Sequence, residues 1–375
     1  MSLGGWLAEQ AELRSRAGLV RTLRPRGSRD CALDLAGNDY LGLSTHPRVT
    51  SASAQAAERW GAGAGASRLV TGTLAVHQDL EVELASFCGQ PAALVFSSGY
   101  LANLGLVAAL ADRETLVVSD AHVHASLVDG CRLSRAVVRV VAHNDTAAVA
   151  AALAQRAQRR ALVLTESVFS VLGDAAPLDE LAIVSAQHDA VLVVDEAHAL
   201  GVAGIGGRGL VHASGLAGAE HVVVTATLSK SLGSQGGVAL GPVALRDHLV
   251  NAARPFVYDT GLAPAAAAGA LAALRVLVEE PERATAAWQC AAALAGVAGL
   301  DSPAAAVLSV PMPGPGAALA AQARCLEAGL HVGCFRPPSV PDGISRLRLT
   351  GRATLAGDQL GSACDLLRAA LGGAL

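Results

Sequence analysis

Two hydrophobic periods alternate along this chain. Residues 5–20 space apolar side chains among charged ones at helical intervals, which predicts an amphipathic helix. A Pro/Arg/Gly-rich stretch, Arg24-Pro-Arg-Gly27, follows, and then Leu33-Asp-Leu-Ala-Gly-Asn-Asp-Tyr-Leu-Gly-Leu43 reads as a short strand running into a turn. From about residue 46 helix and strand alternate. Short apolar, β-branched runs predict strands at Ala93–Phe96, Thr115–Ser119, Ala136–Val141, Ala161–Thr165, Ala190–Asp195, His221–Thr227 and Gly237–Leu240. Helical patterns lie between most of them, as at 76–87, 100–111, 145–157 and 178–188. Near-continuous apolar strands separated by helices predict an α/β fold with a mainly parallel sheet covered on both faces. From about residue 260 the order changes to two Ala-rich helices (262–279, 283–297), short strands near 305–310 and 345–349, and a closing helix at 354–371. The expected organisation is an N-terminal segment (1–45), a large α/β domain (46–259) and a small α+β domain (260–375).

Composition narrows the class. With 52% apolar and 16% charged residues in 375, the chain suits a soluble, compact enzyme. Its net charge of −4, with signs interspersed, gives no electrostatic footprint for nucleic acid. The seven cysteines (31, 88, 131, 290, 325, 334, 364) are odd in number and form no C-x-x-C pair, which fits reduced thiols in the cytoplasm. Glu9, Glu12, Arg14 and Arg16 exclude a signal peptide. The apolar run Leu262–Leu274 is too short to span a bilayer and reads as a buried helix, so no membrane partner is expected.

The chemistry centres on Lys230, the only lysine; the other 27 of 28 Lys and Arg residues are arginine. A codon preference for Arg accounts for the surface but not for the single survivor. A guanidinium neither loses its proton near neutral pH nor forms a Schiff base, whereas a desolvated lysine does both. Lys230 follows the buried strand expected at His221–Thr227, at the edge where α/β proteins bind ligands.

Asp195-Glu-Ala-His198 resembles an ATPase metal segment, but the chain has no G-x-x-x-x-G-K-[ST] loop to accompany it. The bland alternative is an Asp195 that caps a helix and a His198 satisfied in the core. Gly204-Ile-Gly-Gly-Arg-Gly209 fits G-x-G-x-x-G yet lies past a strand end with no helix opening from it, so it reads as a glycine loop. His122-Val-His124 with Asp195 and His198 could furnish metal ligands, but no second carboxylate cluster completes a metal-hydrolase set. Phe96-Ser-Ser-Gly-Tyr100 runs from a strand into a helix, where free N–H groups make a phosphate site.

A strand-end Asp, a His three residues on and a Lys 35 residues after the Asp resemble the fold-type I pyridoxal-phosphate enzymes. More narrowly, the chain is similar to the α-oxoamine synthases from about Arg14 to Arg352. The similarity is carried by Asn38-Asp-Tyr-Leu-Gly-Leu43, Ser67-Arg-Leu-Val-Thr-Gly72, Ser97-Ser-Gly-Tyr100, His124-Ala-Ser126, Val168-Phe-Ser170, Asp195-Glu-Ala-His198, Thr227-Leu-Ser-Lys230 and Phe335-Arg-Pro-Pro-Ser-Val-Pro341. The last of these most resembles the branch that serves biotin biosynthesis by condensing L-alanine with a pimeloyl thioester, carried on CoA or on acyl carrier protein. Ala199, Leu172 and Gly65-Ala66 depart from the family pattern without touching the Lys, Asp or His positions.

The resemblance implies that Lys230 holds pyridoxal 5'-phosphate as a Schiff base and later acts as base. It further implies that Asp195 pairs with the ring nitrogen, His124 stacks on the ring, and His198 and Ser170 bind its phenolic oxygen. Gly99, Tyr100 and Thr227 would bind the phosphate, with Thr260 reaching it from the partner subunit of a homodimer with shared active sites. Asn38 and Arg336 are candidates for the amino acid carboxylate, and Arg21 and Ser339 for the thioester. A sister synthase using glycine or serine, and a cofactor-binding partner protein without catalysis, are the alternatives; the intact Lys230, Asp195, His124 and His198 argue against the second.

Overall fold

The computed structural model describes residues 1–27, 32–337 and 339–372; Cys31 and Pro338 lie outside the described residues. Contacts divide the chain into a unit from Met1 to Ala32 and a unit from Leu33 onward. The first unit is the helix Leu3–Arg16. Ser2 caps it by accepting from the Gly5 N–H at 3.2 Å, and Arg14 and Arg16 face the carbonyl end of its dipole. It stops short of the expected residue 20 because Gly18 turns left-handed, at φ 65°, and ends the hydrogen-bond ladder. Among the described residues, no helix is long and apolar enough to cross a membrane.

The second unit contains twelve described strands. They are β1 (Leu33–Asp34), β2 (Ala92–Phe96), β3 (Thr115–Asp120), β4 (Val137–Val141), β5 (Arg160–Glu166), β6 (Ala190–Asp195), β7 (Val222–Thr227), β8 (Gly237–Gly241), β9 (Val307–Pro311), β10 (Leu330–His331), β11 (Gly333–Phe335) and β12 (Arg346–Thr350). Seven form one sheet in the order β2-β8-β7-β6-β5-β3-β4, in which only β8 runs against its neighbours. This is the mainly parallel sheet that the apolar runs predict, and the strand limits agree with the expected ones to within a residue. The period of two divides each strand between the faces: Leu192 and Val194 pack into one core, Val193 into the other. Strand β4 departs from expectation. As an edge strand it leaves Val137, Val138 and Val140 exposed.

A third core lies under the antiparallel sheet β11-β12-β9, where Leu308, Val310, Leu347 and Leu349 meet the helices Glu282–Val297, Pro315–Glu327 and Gly357–Leu371. Strand β1 pairs with β10 and sends Leu35 into this core. The helix Pro264–Glu279 instead packs Ala267, Ala270 and Leu274 into the larger one.

The carboxyl ends of the parallel strands are tied together by His143, just past β4. Its Nδ1 lies 3.0 Å from Asp120 at the end of β3, and its Nε2 lies 2.8 Å from Asp174. Burial opposes a charge on this ring, but the hydrogen bonds to the two carboxylates outweigh it and raise the pKa from 6.5 to about 9. The bond pins the segment after β5, which carries Phe169 and Ser170; Phe169 meets the imidazole edge-on at 4.3 Å between centroids. Because the folded pKa is the higher one, this stabilisation is fully present below about pH 6.5 and is lost as pH rises through about 9. His143→Gln is expected to cost about 1–2 kcal/mol at pH 6 and much less near pH 10. Urea unfolding of both proteins at the two pH values checks this; an equal gap at both would refute the charged clamp.

Candidate active site

Parallel strands leave their last residues pointing into the crevice above the sheet, and here that edge is polar. Strands β5 and β6 end in register at Glu166 and Asp195, and β7 ends at Thr227. These residues line a cavity of about 250 Å³ together with Gly99, Tyr100, His124, His198 and Lys230. The cavity thus unites seven of the residues singled out in the sequence: Gly99, Tyr100, His124, Asp195, His198, Thr227 and Lys230.

Asp195 is 4% exposed, and each of its oxygens accepts a donor: Asn103 Nδ2 at 2.7 Å and the Ala197 N–H at 2.8 Å. Asn103 is held in turn by the Thr225 hydroxyl at 2.6 Å and donates to Ser126 Oγ at 2.9 Å. Ser126 then meets His124 Nδ1 at 2.8 Å, so one network orients the carboxylate and the imidazole. Burial lowers the pKa of His124; the charge of Asp195 works the other way.

Lys230 Nζ lies 2.7 Å from His198 Nε2, and His198 Nδ1 lies 2.7 Å from the Tyr40 hydroxyl. Burial brings the Lys230 amine down to about 8; the carboxylates of Asp195 and Glu166 hold it up, and Arg348 pushes it further down. His198 falls well below 6.5, mostly through burial and then through the charge of Lys230, so its ring is neutral.

The other end of the cavity is a helix N-terminus. Ser98 caps the helix Gly99–Leu110 through the Leu101 N–H at 3.2 Å, leaving the first N–H groups unpaired by the helix ladder. A Cβ at Gly99 would stand 2.9 Å from Thr227 Cβ, so only glycine lets this helix start close against the end of β7. Lys230 is braced from behind by the glycine loop. Gly201, at φ 87°, lies where a Cβ would be 2.3 Å from Ser231 Cβ, and a Cβ on Gly209 would be 2.0 Å from Glu196 Oε2. The G-x-G-x-x-G match is therefore a packing loop, and only the four-residue helix Leu210–Ala213 follows it.

The remaining candidates lie elsewhere. Ser170 does not line the cavity; its N–H donates to Glu166 Oε2 at 2.9 Å and its carbonyl accepts from Arg348 Nε at 2.6 Å. Asn38 sits behind Tyr40 and accepts from Arg348 Nη2 at 3.2 Å. Thr260 is exposed and bridges to Ser67, Arg336 and Ser339 stand outside the cavity wall, and Arg21 belongs to the first unit.

Three residues escaped the sequence reading. Glu166 is 2% exposed, its Oε1 has no partner among the described residues, and burial followed by the charge of Asp195 raises its pKa to about 8. The signal was the one that marked Asp195, a carboxylate closing a buried strand. Arg348 is 5% exposed on β12 with no carboxylate partner among the described residues. Tyr40 is wholly buried beneath His198.

Comparison with known proteins agrees with this arrangement. Residues 32–367 match the family model for aminotransferase class I and II. The chain is 59% identical over 363 residues to an 8-amino-7-oxononanoate synthase of Mycolicibacterium gilvum, covering 96% of both chains. It is 56% identical over 363 residues to the same enzyme of Mycolicibacterium smegmatis, covering 96% of this chain and 95% of the relative. Among solved structures, a serine palmitoyltransferase from S. paucimobilis with bound PLP superposes with a TM-score of 0.90 at 31% identity, over 98% of this chain and 97% of that one. An 8-amino-7-oxononanoate synthase from Francisella tularensis gives a TM-score of 0.78 at 26% identity, over 92% and 99%. The chain belongs to the aminotransferase class I and II family and, within it, to the 8-amino-7-oxononanoate synthases.

Proposed function

We propose that this cavity condenses L-alanine with a pimeloyl thioester, on CoA or on a carrier protein, releasing carbon dioxide and free thiol. The observation that carries the reading is the chain's only lysine, half-buried 2.7 Å from a neutral His198 in the cavity that Asp195 closes. The donor set fits pyridoxal phosphate: a helix N-terminus for a phosphate, a strand-end carboxylate for a ring nitrogen, and an amine able to form a Schiff base. That cofactor supplies an electron sink that acidifies the α-carbon of a bound amino acid.

The chain's residues divide the remaining work. The Gly99 and Tyr100 N–H groups and the Thr227 hydroxyl hold the phosphate, with Thr260 reaching it from the second subunit of a homodimer. Asp195 would hold the ring nitrogen, His124 would cover one ring face and His198 would secure the phenolic oxygen, while Ser170, outside the cavity wall, would act through Glu166 and Arg348. Lys230 binds the cofactor and, once freed, takes the α-proton on Nζ; an amine brought down to about 8 is available as a base near neutral pH. Arg21 and Ser339 remain the candidates for the thioester.

Arg348 changes the reading of the substrate carboxylate. A buried guanidinium without a counterion is costly, and Arg348, which has no carboxylate partner among the described residues, is fixed by Ser170 and Asn38 within reach of Lys230's field. An anionic substrate completes it, which makes Arg348 with Asn38 the carboxylate site in preference to Arg336.

Three outcomes are expected. With a pimeloyl thioester, kcat/KM for L-alanine should exceed that for glycine or serine by more than about tenfold, or about 1.4 kcal/mol. Thiol release measured with each amino acid checks this, and a preference for serine with a long acyl chain would establish the sister activity instead. Arg348→Gln should raise the KM for alanine about 10²-fold, near 3 kcal/mol, while Arg336→Gln raises it much less. Steady-state kinetics on the two variants decides, and the reverse ranking would return the role to Arg336. Asp195→Asn should keep the cofactor yet lose about 10²-fold or more in kcat, because a ring-nitrogen partner matters most as the carbanion forms. Exchange of alanine's α-proton in deuterated water reads that step; exchange at the wild-type rate would leave Asp195 a helix cap.

A further inference from the structure

Glu166 closes β5 and lines the cavity, yet the proposed chemistry assigns it no contact with the cofactor. Its side chain is buried. Oε2 accepts from the Ser170 N–H at 2.9 Å, while Oε1 has no hydrogen-bond partner among the described residues. Asp195, its partner in strand register, is better supplied, with the Asn103 amide at 2.7 Å and the Ala197 N–H at 2.8 Å. Neighbouring strands lie about 4.8 Å apart, so the two carboxyl groups crowd one end of the cavity. Carboxylates placed this way do not both ionise readily, and the one with fewer donors is the better home for a shared proton. Oε2 is committed to the Ser170 N–H, so an acid proton on Glu166 belongs on Oε1, the oxygen for which the chain offers no partner.

We infer that Glu166 is a further cofactor-binding residue, a neutral carboxylic acid that donates from Oε1 to the ring oxygen of pyridoxal phosphate. This is the contact expected of Ser170, which lies outside the cavity wall. The inference rests on the proposed placement of the ring with its nitrogen at Asp195. The ring oxygen sits two ring atoms from that nitrogen, and Glu166 sits one strand from Asp195. An ionised ring oxygen only accepts, and so does a carboxylate; the acid form alone can bond to it. Burial, and then the charge of Asp195, raises the Glu166 pKa to about 8, so the acid form prevails at neutral pH. Lys230 and the backbone of Ser170 and His124 pull the other way, although His124 makes no hydrogen bond to Oε1. Asp195 acts on Glu166 through its charge and not through a hydrogen bond, so it does not take the Oε1 proton. The other titratable groups of the wall are Tyr100, His124, His198 and Lys230, with Arg348 behind on the Ser170 carbonyl.

Glu166→Gln keeps a donor where the acid stands, and Glu166→Met keeps only the length. In full-length protein loaded with pyridoxal phosphate at neutral pH, infrared difference spectra of the wild type against Glu166→Gln should show a carboxylic acid C=O stretch that only the wild type has and that shifts in deuterated water. A ring oxygen that loses a donor becomes more basic. The pH midpoint of the bound cofactor's visible absorption should therefore rise by about one unit in Glu166→Met, the worth of one hydrogen bond, and move much less in Glu166→Gln. Loss of a carboxylate band in place of an acid band in Glu166→Gln, or an unmoved midpoint in folded Glu166→Met, overturns the inference. Should Glu166→Met fail to fold, the infrared spectra decide alone. Borohydride fixation of the cofactor in the same wild-type sample tests the site itself. Fixation anywhere but Lys230 overturns both readings, whereas fixation on Lys230 without the acid band overturns this one alone.

Discussion

Charge buried at the carboxyl edge of a parallel sheet is the constraint on which this structure turns. Asp195, Glu166 and Arg348 are all 5% exposed or less, and Asp195 and Glu166 close strands whose interiors are mostly apolar. An unpaired charge there would cost several kcal/mol. The surroundings are built to avoid that cost. Asn103 spans Asp195, Ser126 and Thr225; Ser170 ties Glu166 to Arg348 through its N–H and its carbonyl. Strand register sets Glu166 beside Asp195, and two carboxylates this close do not both ionise readily. Burial, and then the charge of Asp195, pushes the Glu166 pKa up, and Lys230 is drawn between opposing fields.

The sheet was legible because its strands are buried on both faces, which removes polar positions from the run and leaves a clear apolar signal. Asp195 and Lys230 stood out against that background. Glu166 carried the same strand-end signal but had no neighbouring motif to lift it, since Thr165 and Ser167 on either side read as ordinary polar residues. Arg348 was harder. In Arg346-Leu-Arg-Leu349 the alternation predicts one face to solvent, yet both arginines are buried. Arg346 pairs with Asp342, whereas Arg348 turns toward the larger core. That outcome is decided by how two sheets meet, and a single strand's period does not contain it. Tyr40 fell inside a recognised stretch, but its contact with His198 joins positions 158 residues apart.

The glycine loop shows the converse, a motif whose meaning is packing. Gly201, Gly207 and Gly209 all have φ between 75° and 93°. The Gly201 N–H bonds to the Gly207 carbonyl at 2.7 Å, and the Gly209 N–H to the Ala203 carbonyl at 2.9 Å, folding the loop onto itself. The buried Glu196 carboxylate, pushed up to about 7 chiefly by burial, accepts from the Val211 N–H at 2.9 Å and fixes the loop's far end. Ser231 then rests on Gly201, so the backbone beside Lys230 has a rigid floor.

The two cations nearest the chemistry make opposite demands, and residue type answers each. The base must shed its proton when buried, and the carboxylate partner must not. Desolvation alone separates them, since it strips an ammonium far more readily than a delocalised guanidinium. A lysine at 348 would tend to neutralise under the burial that lowers Lys230, leaving nothing to bind an anion. An arginine at 230 would keep its charge and take no proton. The fixed charge of Arg348 also acts directly on its neighbour, pushing the Lys230 amine further toward its neutral form. Each position therefore depends on the other's identity, which is why a chain that uses arginine at 27 of its 28 Lys and Arg positions retains lysine at this one.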